Sequence, residues 1–516
     1  ADSSFFFDVF NSYKLTNNLQ TSRIKQDFLT NLSTSNDYKG REVYELLQNA
    51  EDQNSTHVLI SLDRENKKLS ISNGGVGCTP FSKEGFCSIM MANMSPKRNS
   101  GESFIGCKGL GFRSLLNWAD EISIYSSGVC CKFSNIIVQN KWEELKQWLP
   151  KDVVDEHQDF ARKEGVDTPM SILSVPEVKA AQFQNPEYVT TIEVCFKNDS
   201  LESIQKQIDT LSGKVLLFLS NISCIKIKID DKQYELSKEI KSENVVLVKD
   251  KEHPQGLEYV IYKENGSFED RSVSKKYEVS IAYNKDGEEK GNVLYTFFPT
   301  QVKISLPCVV HATFDLNSSR NSLNETEANN WIQERIADCL MAFAQELAAE
   351  DEKMSWNYWN LLHLDDAAKQ YLPLLDVKLD RGIKQCKIFP TVGTGYLSLD
   401  QTTHYSEEMV CYALNVFDNH LINDFTVHGI QSQLAEPDFV DKLNAFSQKF
   451  FDEMCDLEEQ KNFRTGLIKA VSTVKFNCPQ KLYLLLDNKG KLFKNLGRIN
   501  VGDSFSYLPD EMNISY

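Results

Sequence analysis

Glu45, Asn49 and Asp52 follow one another at spacings of four and three residues in YKGREVYELLQNAED, which places two carboxylates and an amide along one face of a helix. Such a row can hold a hydrated metal ion and polarise a water. It can equally be the solvated side of an ordinary amphipathic helix. Two glycine-rich stretches follow. Asn73-Gly74-Gly75-Val76-Gly77 lets backbone approach a ligand with no side chain between them, or simply turns the chain. Gly106-Cys107-Lys108-Gly109-Leu110-Gly111-Phe112 leads into an apolar helical pattern, where free N–H groups favour phosphate. It lacks the Gly-Lys-Ser/Thr of a Walker A loop, and a polar stretch rather than an apolar strand precedes it, which excludes a dinucleotide fingerprint.

The elements that would position these residues are legible from periodicity. A helix is expected from Tyr38 to Asp52, with Val43, Leu46, Leu47 and Ala50 as its buried stripe. HVLISLD and LSISN alternate as two strands of a hairpin. A short helix should run from Phe81 to Met91, capped by Thr79 with Pro80 at the first helical position. Residues 93–105 are small and polar and should form a loop, and a second helix should begin near Leu110. EISIYSSGVCCKFS gives another hairpin around Ser127 and Gly128. A charged helical insertion on the solvent side spans Lys141 to Val166, and strands return at Val189 to Phe196 and in CIKIKID. The expected class is α+β: a mixed sheet covered by helices in 1–225, a β-rich segment in 226–330, and a mostly helical region in 331–516 that ends in the strand-like KLYLLLDNKGKLFK.

Composition narrows the function. The net charge of −17 repels phosphate backbones over most of the surface and gives no support to direct nucleic-acid binding; the basic cluster SPKRN at 95–99 falls inside the polar loop. Hydrophobic content of 41% and charged content of 25% are ordinary for a globular chain, and no apolar run approaches the ~18–20 residues of a membrane span. Thirteen cysteines without a C-x-x-C argue against a disulfide framework and a zinc site. ADSSFFFDVF has neither a basic region nor a cleavage site, so a cytoplasmic location is expected.

Taken in order, these pieces resemble the GHKL family of gyrases, heat-shock chaperones, histidine kinases and MutL, in which E-x-x-x-N-x-x-D, D-x-G-x-G, a lid, G-x-x-G-x-G-F and a late threonine-bearing strand succeed one another. The resemblance covers residues 38–225 and implies a Bergerat-fold α/β sandwich that binds ATP with Mg²⁺. It implies that Glu45 is the general base, Asn49 the Mg²⁺ ligand, and Asp52 a neighbour of the nucleotide. Asn73, Gly75, Gly77 and Thr191 would serve the base, and Gly106, Lys108, Gly109, Leu110, Gly111 and Phe112 the phosphates. Asn73 stands where the family has an aspartate, and no glycine precedes the threonines of Val189-Thr190-Thr191-Ile192. The Asn-Gly-Gly turn, PFSKEGF, KGLGFRS and LLFLSNI are most similar to the sacsin and NO VEIN-like branch.

Beyond the site, LPCVVHATFDLNSSRNSL carries Asp315 and Arg320. Arg320 is either a surface ion-pair partner or, because L-x-x-S-R-x-x-L resembles a chaperone middle-domain segment, an arginine sent toward the γ-phosphate. His311, in an apolar strand, reads as structural. The first histidine of the sequence, His57, lies after the Glu45 helix, so a histidine kinase with its phosphoacceptor upstream within these residues is not expected. The resemblance therefore implies a slow Mg²⁺-dependent ATPase switch with a transducer-like domain in 226–330 and a homodimer when ATP is bound. The alternative is a chaperone-like scaffold that binds ATP without turnover. The resemblance also implies a place in anti-phage defence with a nuclease or helicase partner, as bacterial relatives of the branch often have, although residues 351–516 show no nuclease or helicase motif.

Overall fold

The computed structural model describes residues 4–12, 14, 18–91, 111–180, 186–270, 273–285, 292–317, 322–352, 354–393, 395–402 and 423–427, with short pieces at 444, 447–448, 452, 483–486 and 492–494. Two compact units divide the chain, Ala1–Ile332 and Gln333–Tyr516.

The first unit begins with α1 (Ser4–Ser12), α2 (Asn18–Asp37) and α3 (Glu42–Asp52), then the hairpin β1 (His57–Asp63) and β2 (Lys68–Gly74). After α4 (Lys83–Met90) and a 3₁₀ turn at Gly111–Asn117 come β3 (Ala119–Ser126), β4 (Val129–Ser134), α5 (Asn135–Lys146), α6 (Lys151–Glu164), β5 (Glu177–Ala180), β6 (Tyr188–Phe196) and α7 (Leu201–Asp209). The strands β7 (Cys224–Ile229), β8 (Lys232–Ser242), β9 (Val245–Lys249), β10 (Leu257–Asp270), β11 (Val273–Asn284), β12 (Val293–Thr296), β13 (Phe298–Lys303) and β14 (Val309–Ala312) complete it, and α8 (Glu327–Glu350) crosses into the second unit.

These strands form one 14-stranded sheet in the order β13-β12-β14-β11-β10-β9-β8-β7-β1-β2-β6-β3-β4-β5. Neighbours are antiparallel except β1 with β7 and β12 with β14. The protein is thus mixed α/β around a large sheet, and the strands on both sides of residue 225 belong to that same sheet. One apolar core joins Val43, Leu46, Leu47 and Ala50 of α3 to Val58, Ile60, Leu69 and Ile71 of the hairpin and Ile192 and Val194 of β6. Alternation along β6, buried at every second residue, is what a strand covered on one face requires.

Local chemistry moved several expected boundaries. Gly40, at φ +86°, breaks the chain before α3, so the helix starts at Glu42 rather than Tyr38. Ser82, not Thr79, caps α4 by accepting from the Gly85 amide at 3.0 Å; the Thr79 amide instead donates to the Gln53 carbonyl at 2.8 Å. Gly111–Asn117 winds as a 3₁₀ helix in place of an α-helix. The charged stretch expected at 141–166 is two helices separated near Pro150, and Trp142, Leu145, His157 and Ala161 bury its inner side. Ser127 and Gly128 both take positive φ, 55° and 75°, as the tight β3–β4 hairpin needs.

In the second unit α9 (Asn357–Asn360), α10 (Asp366–Tyr371) and α11 (Pro373–Gly382) are followed by the small hairpins β15 (Phe389–Pro390) with β16 (Tyr396–Leu397) and β17 (Tyr483–Leu486) with β18 (Leu492–Lys494). Trp356 and Trp359 both pack on Phe389, with ring centroids 6.2 and 5.7 Å away. Among the described residues no helix is long and apolar enough to cross a membrane.

Candidate functional site

Helix α3 carries four carboxylates besides its apolar stripe, and their surroundings separate their roles. Glu42 is fully buried and accepts from Gly40 N at 2.9 Å, Gln207 Nε2 at 2.5 Å and Asn117 Nδ2 at 3.1 Å. Burial pushes its pKa up, and the three donors oppose that shift. Glu51 accepts three backbone amides, Ser220 and Asn221 at 2.8 Å and Ile222 at 2.9 Å, which ties the end of α3 to the start of β7. Lys238, half-buried nearby and bonded to the Leu219 carbonyl, is pushed down to about 8 by loss of solvent, against the pull of Glu51. Both acids are therefore committed to the framework.

Glu45 is different. It is 6% exposed, and its carboxylate lies directly over Gly111: a Cβ built on that glycine would stand 1.8 Å from Glu45 Oε2 and 2.7 Å from its Cδ. With the acid in this position a side chain at 111 would have to push the carboxylate aside. Gly111 is held there by its successors, since Phe112 and Leu115 enter the core and Arg113, 1% exposed, ties the 3₁₀ turn to two helices. Its guanidinium donates to Asn31 Oδ1 on α2 and to the Ser88 and Ile89 carbonyls of α4 at 2.9 and 3.4 Å. Burial pushes the Arg113 pKa down to about 10, so it stays cationic at neutral pH. One turn along α3, Asn49 is half-buried and its amide makes no hydrogen bond among the described residues. Asp52 is half-buried as well.

The second wall is the end of β2. Asn73, 3% exposed, donates through Nδ2 to Gln53 Oε1 at 3.0 Å and Ser55 Oγ at 2.7 Å. The turn after it needs its glycines: Gly75 has φ +119°, where a Cβ would also meet Thr56 Oγ1 at 1.9 Å, and Gly77 has φ +86°. In the register of the sheet Asn73 pairs with Thr190 and Ser72 with Thr191, and paired side chains share a face. Thr190 thus stands on the side of Asn73, fully buried, with Oγ1 2.8 Å from Ser126 Oγ. Thr191 lies on the opposite face, 2.8 Å from Ser72 Oγ.

The structure accordingly brings Glu45, Gly111 and Phe112 together, places Asn49 and Asp52 on the same helix and Asn73, Gly75 and Gly77 at the strand end, and puts Thr191 on the far side of the sheet. Gly106, Lys108, Gly109, Leu110 and Arg320 lie outside the described residues. The chain on either side of Arg320 is closed by a bridge between Leu316 and Leu323, and Asn329 Nδ2 binds the Asp315 and Asn324 carbonyls, both at 2.7 Å. Gln53, Ser55, Thr190 and Arg113 were not singled out from the sequence. Thr190 could have been, because it shares the parity of Ile192 and Val194 as Asn73 shares that of Ile71 and Leu69.

Two further contacts reach the strands beyond residue 225. Arg41 Nη1 donates to the Pro299 carbonyl at 2.7 Å, and Tyr44 packs on Phe298 at 5.9 Å, so the first turn of α3 touches β13. His311 is fully buried and stacks on Phe218; its Nδ1 accepts from Phe297 N at 3.0 Å, which supports Phe297 at φ +61°. Burial pushes its pKa down to about 3, the nearby Lys263 charge adds to that shift and a hydrogen bond with the Tyr295 backbone opposes it; Glu278 lies 3.6 Å from Nε2. A neutral imidazole filling a structural acceptor role is the result.

No family model matches the chain. Among curated proteins it is similar to Protein NO VEIN of Arabidopsis thaliana, 25% identical over 309 residues, which is 56% of this chain. The chain spans about a tenth of that protein's length, 10%.

Proposed function

We propose that residues 1–332 form an ATP-binding and hydrolysing switch of the GHKL type, in a protein related to the NO VEIN-like branch. The reading is carried by the seat of the Glu45 carboxylate on Gly111: the acid of the E-x-x-x-N-x-x-D helix and the last glycine of G-x-x-G-x-G-F, far apart in sequence, meet in space. In this reading Glu45 takes a proton from the attacking water, and its fixed seat holds the carboxylate in one place relative to the loop. Mg²⁺ fits the residues present, since the Asn49 amide oxygen, without a partner among the described residues, is a hard ligand of the kind it takes alongside phosphates and waters. When bound, the ion would neutralise triphosphate charge. Asn73 and Thr190 face the base, with Thr190 taking the place first expected of Thr191.

Nucleotide-dependent movement would pass along α3 to β13 through Arg41 and Tyr44. Replacing Glu45 with Ala should abolish phosphate release while ATP still binds in calorimetry. Turnover equal to that of the unaltered protein would refute Glu45 as the base, and ATP binding without any turnover by the unaltered protein would favour the scaffold reading instead.

A further inference from the structure

The Asn73 side chain sits among partners that fix which end of its amide is free. Ser55 Oγ lies 3.3 Å from Cys78 Sγ, and Cys78 Sγ lies 3.9 Å from the Thr79 carbonyl. A backbone carbonyl can only accept, so the chain of bonds has one direction. The Cys78 thiol donates to Thr79, the Ser55 hydroxyl donates to Cys78, and Ser55 Oγ accepts from Asn73 Nδ2. Gln53 Oε1 takes the second proton of the same nitrogen at 3.0 Å. Both donors of the amide are thereby used, and Asn73 Oδ1 accepts no hydrogen bond from the described residues. A neutral amide so held offers a ligand an acceptor alone, as a carboxylate does.

We infer that Gln53, with Ser55, is a positioning residue that sets base specificity: it locks the Asn73 amide so that the site takes a purine with an exocyclic 6-amino donor and rejects a 6-oxo purine. Gln53 is suited to this because it caps the C-terminus of α3, and the Thr79 amide pins its backbone carbonyl. Without the lock the amide can turn and present N–H to a 6-oxo group. The inference rests on the nucleotide reading above.

The test measures Kd for ATP and for inosine triphosphate on the full chain. The unaltered protein should favour ATP by about tenfold, the value of roughly one hydrogen bond made rather than opposed. In Gln53→Met the preference should fall at least about fivefold, and further in Gln53→Met/Ser55→Ala. Gln53→Glu, whose carboxylate still accepts from Nδ2, should keep it. A Gln53→Met protein that keeps the preference within about twofold overturns the inference while leaving the nucleotide reading intact, as does a Gln53→Glu protein that loses it. If the unaltered protein binds neither nucleotide, the nucleotide reading fails and the inference with it. Should Gln53→Met fail to fold, the Gln53→Glu and Ser55→Ala preferences decide.

Discussion

Adding one methyl group at Gly111 tests the seat of the acid directly. The Cβ of Gly111→Ala would lie 1.8 Å from Glu45 Oε2, so the carboxylate must retreat by about 1.7 Å to reach an ordinary ~3.5 Å contact. Gly111 does not need a positive φ, so alanine brings no backbone strain there, and the group that must move is the far end of a flexible side chain. Folding stability should therefore change little. A displacement of about 1 Å in a reacting group costs on the order of 100-fold in rate, equivalent to ~2.7 kcal/mol of transition-state stabilisation. Phosphate release under single-turnover conditions should fall by about that factor, with Kd for ATP within a few-fold and Tm within a few degrees. In the double variant Gly111→Ala/Glu45→Ala the rate should be no lower than in Glu45→Ala alone, because the methyl group acts only through the carboxylate. Turnover of Gly111→Ala within about threefold of the unaltered protein, or additive losses in the double variant, would refute the idea that this contact positions the base.

Thr190→Val should weaken ATP binding several-fold while Thr191→Val leaves it within about twofold, because only Thr190 shares the face of Asn73; calorimetry on the pair checks this, and equal effects would contradict the face assignment. His311 gives a pH signature. Its folded pKa of about 3 lies below the unfolded ~6.5, so the unfolded chain binds the extra proton and stability falls as pH drops through that window. From pH 7 to 5 the loss should be about 2 kcal/mol in denaturant titrations, and His311→Asn, which keeps an acceptor for Phe297, should remove that slope. An unchanged slope in the variant would show that other groups set the acid limit.

How the site could be read from sequence varies from residue to residue. The row of Glu45, Asn49 and Asp52 and the glycines of 73–77 were legible, because helical spacing and the tolerance of glycine for positive φ are local properties of a few neighbouring residues. Hairpin strands β1 and β2 were legible for the same reason. Helix α2 was not singled out; its role becomes visible through Asn31, which meets Arg113 from a distant segment. Cap choice between Thr79 and Ser82 turned on whether the Gln53 carbonyl would claim Thr79, again a contact between segments.

What the sequence by itself determined is the set of candidate groups and the helix, turn and strand that carry them, since these follow from short-range sterics and periodicity. Tertiary structure alone decided which of them act together. Three glutamates on α3 are alike in sequence, yet Glu42 and Glu51 are consumed by donors from 117, 207 and 220–222, and only Glu45 rests on Gly111. Thr190 and Thr191 differ by one step along a strand, and that step reverses the face. The physical reason is common to both cases: a side chain's direction is set locally, but what it meets depends on register and packing between segments that no local rule connects.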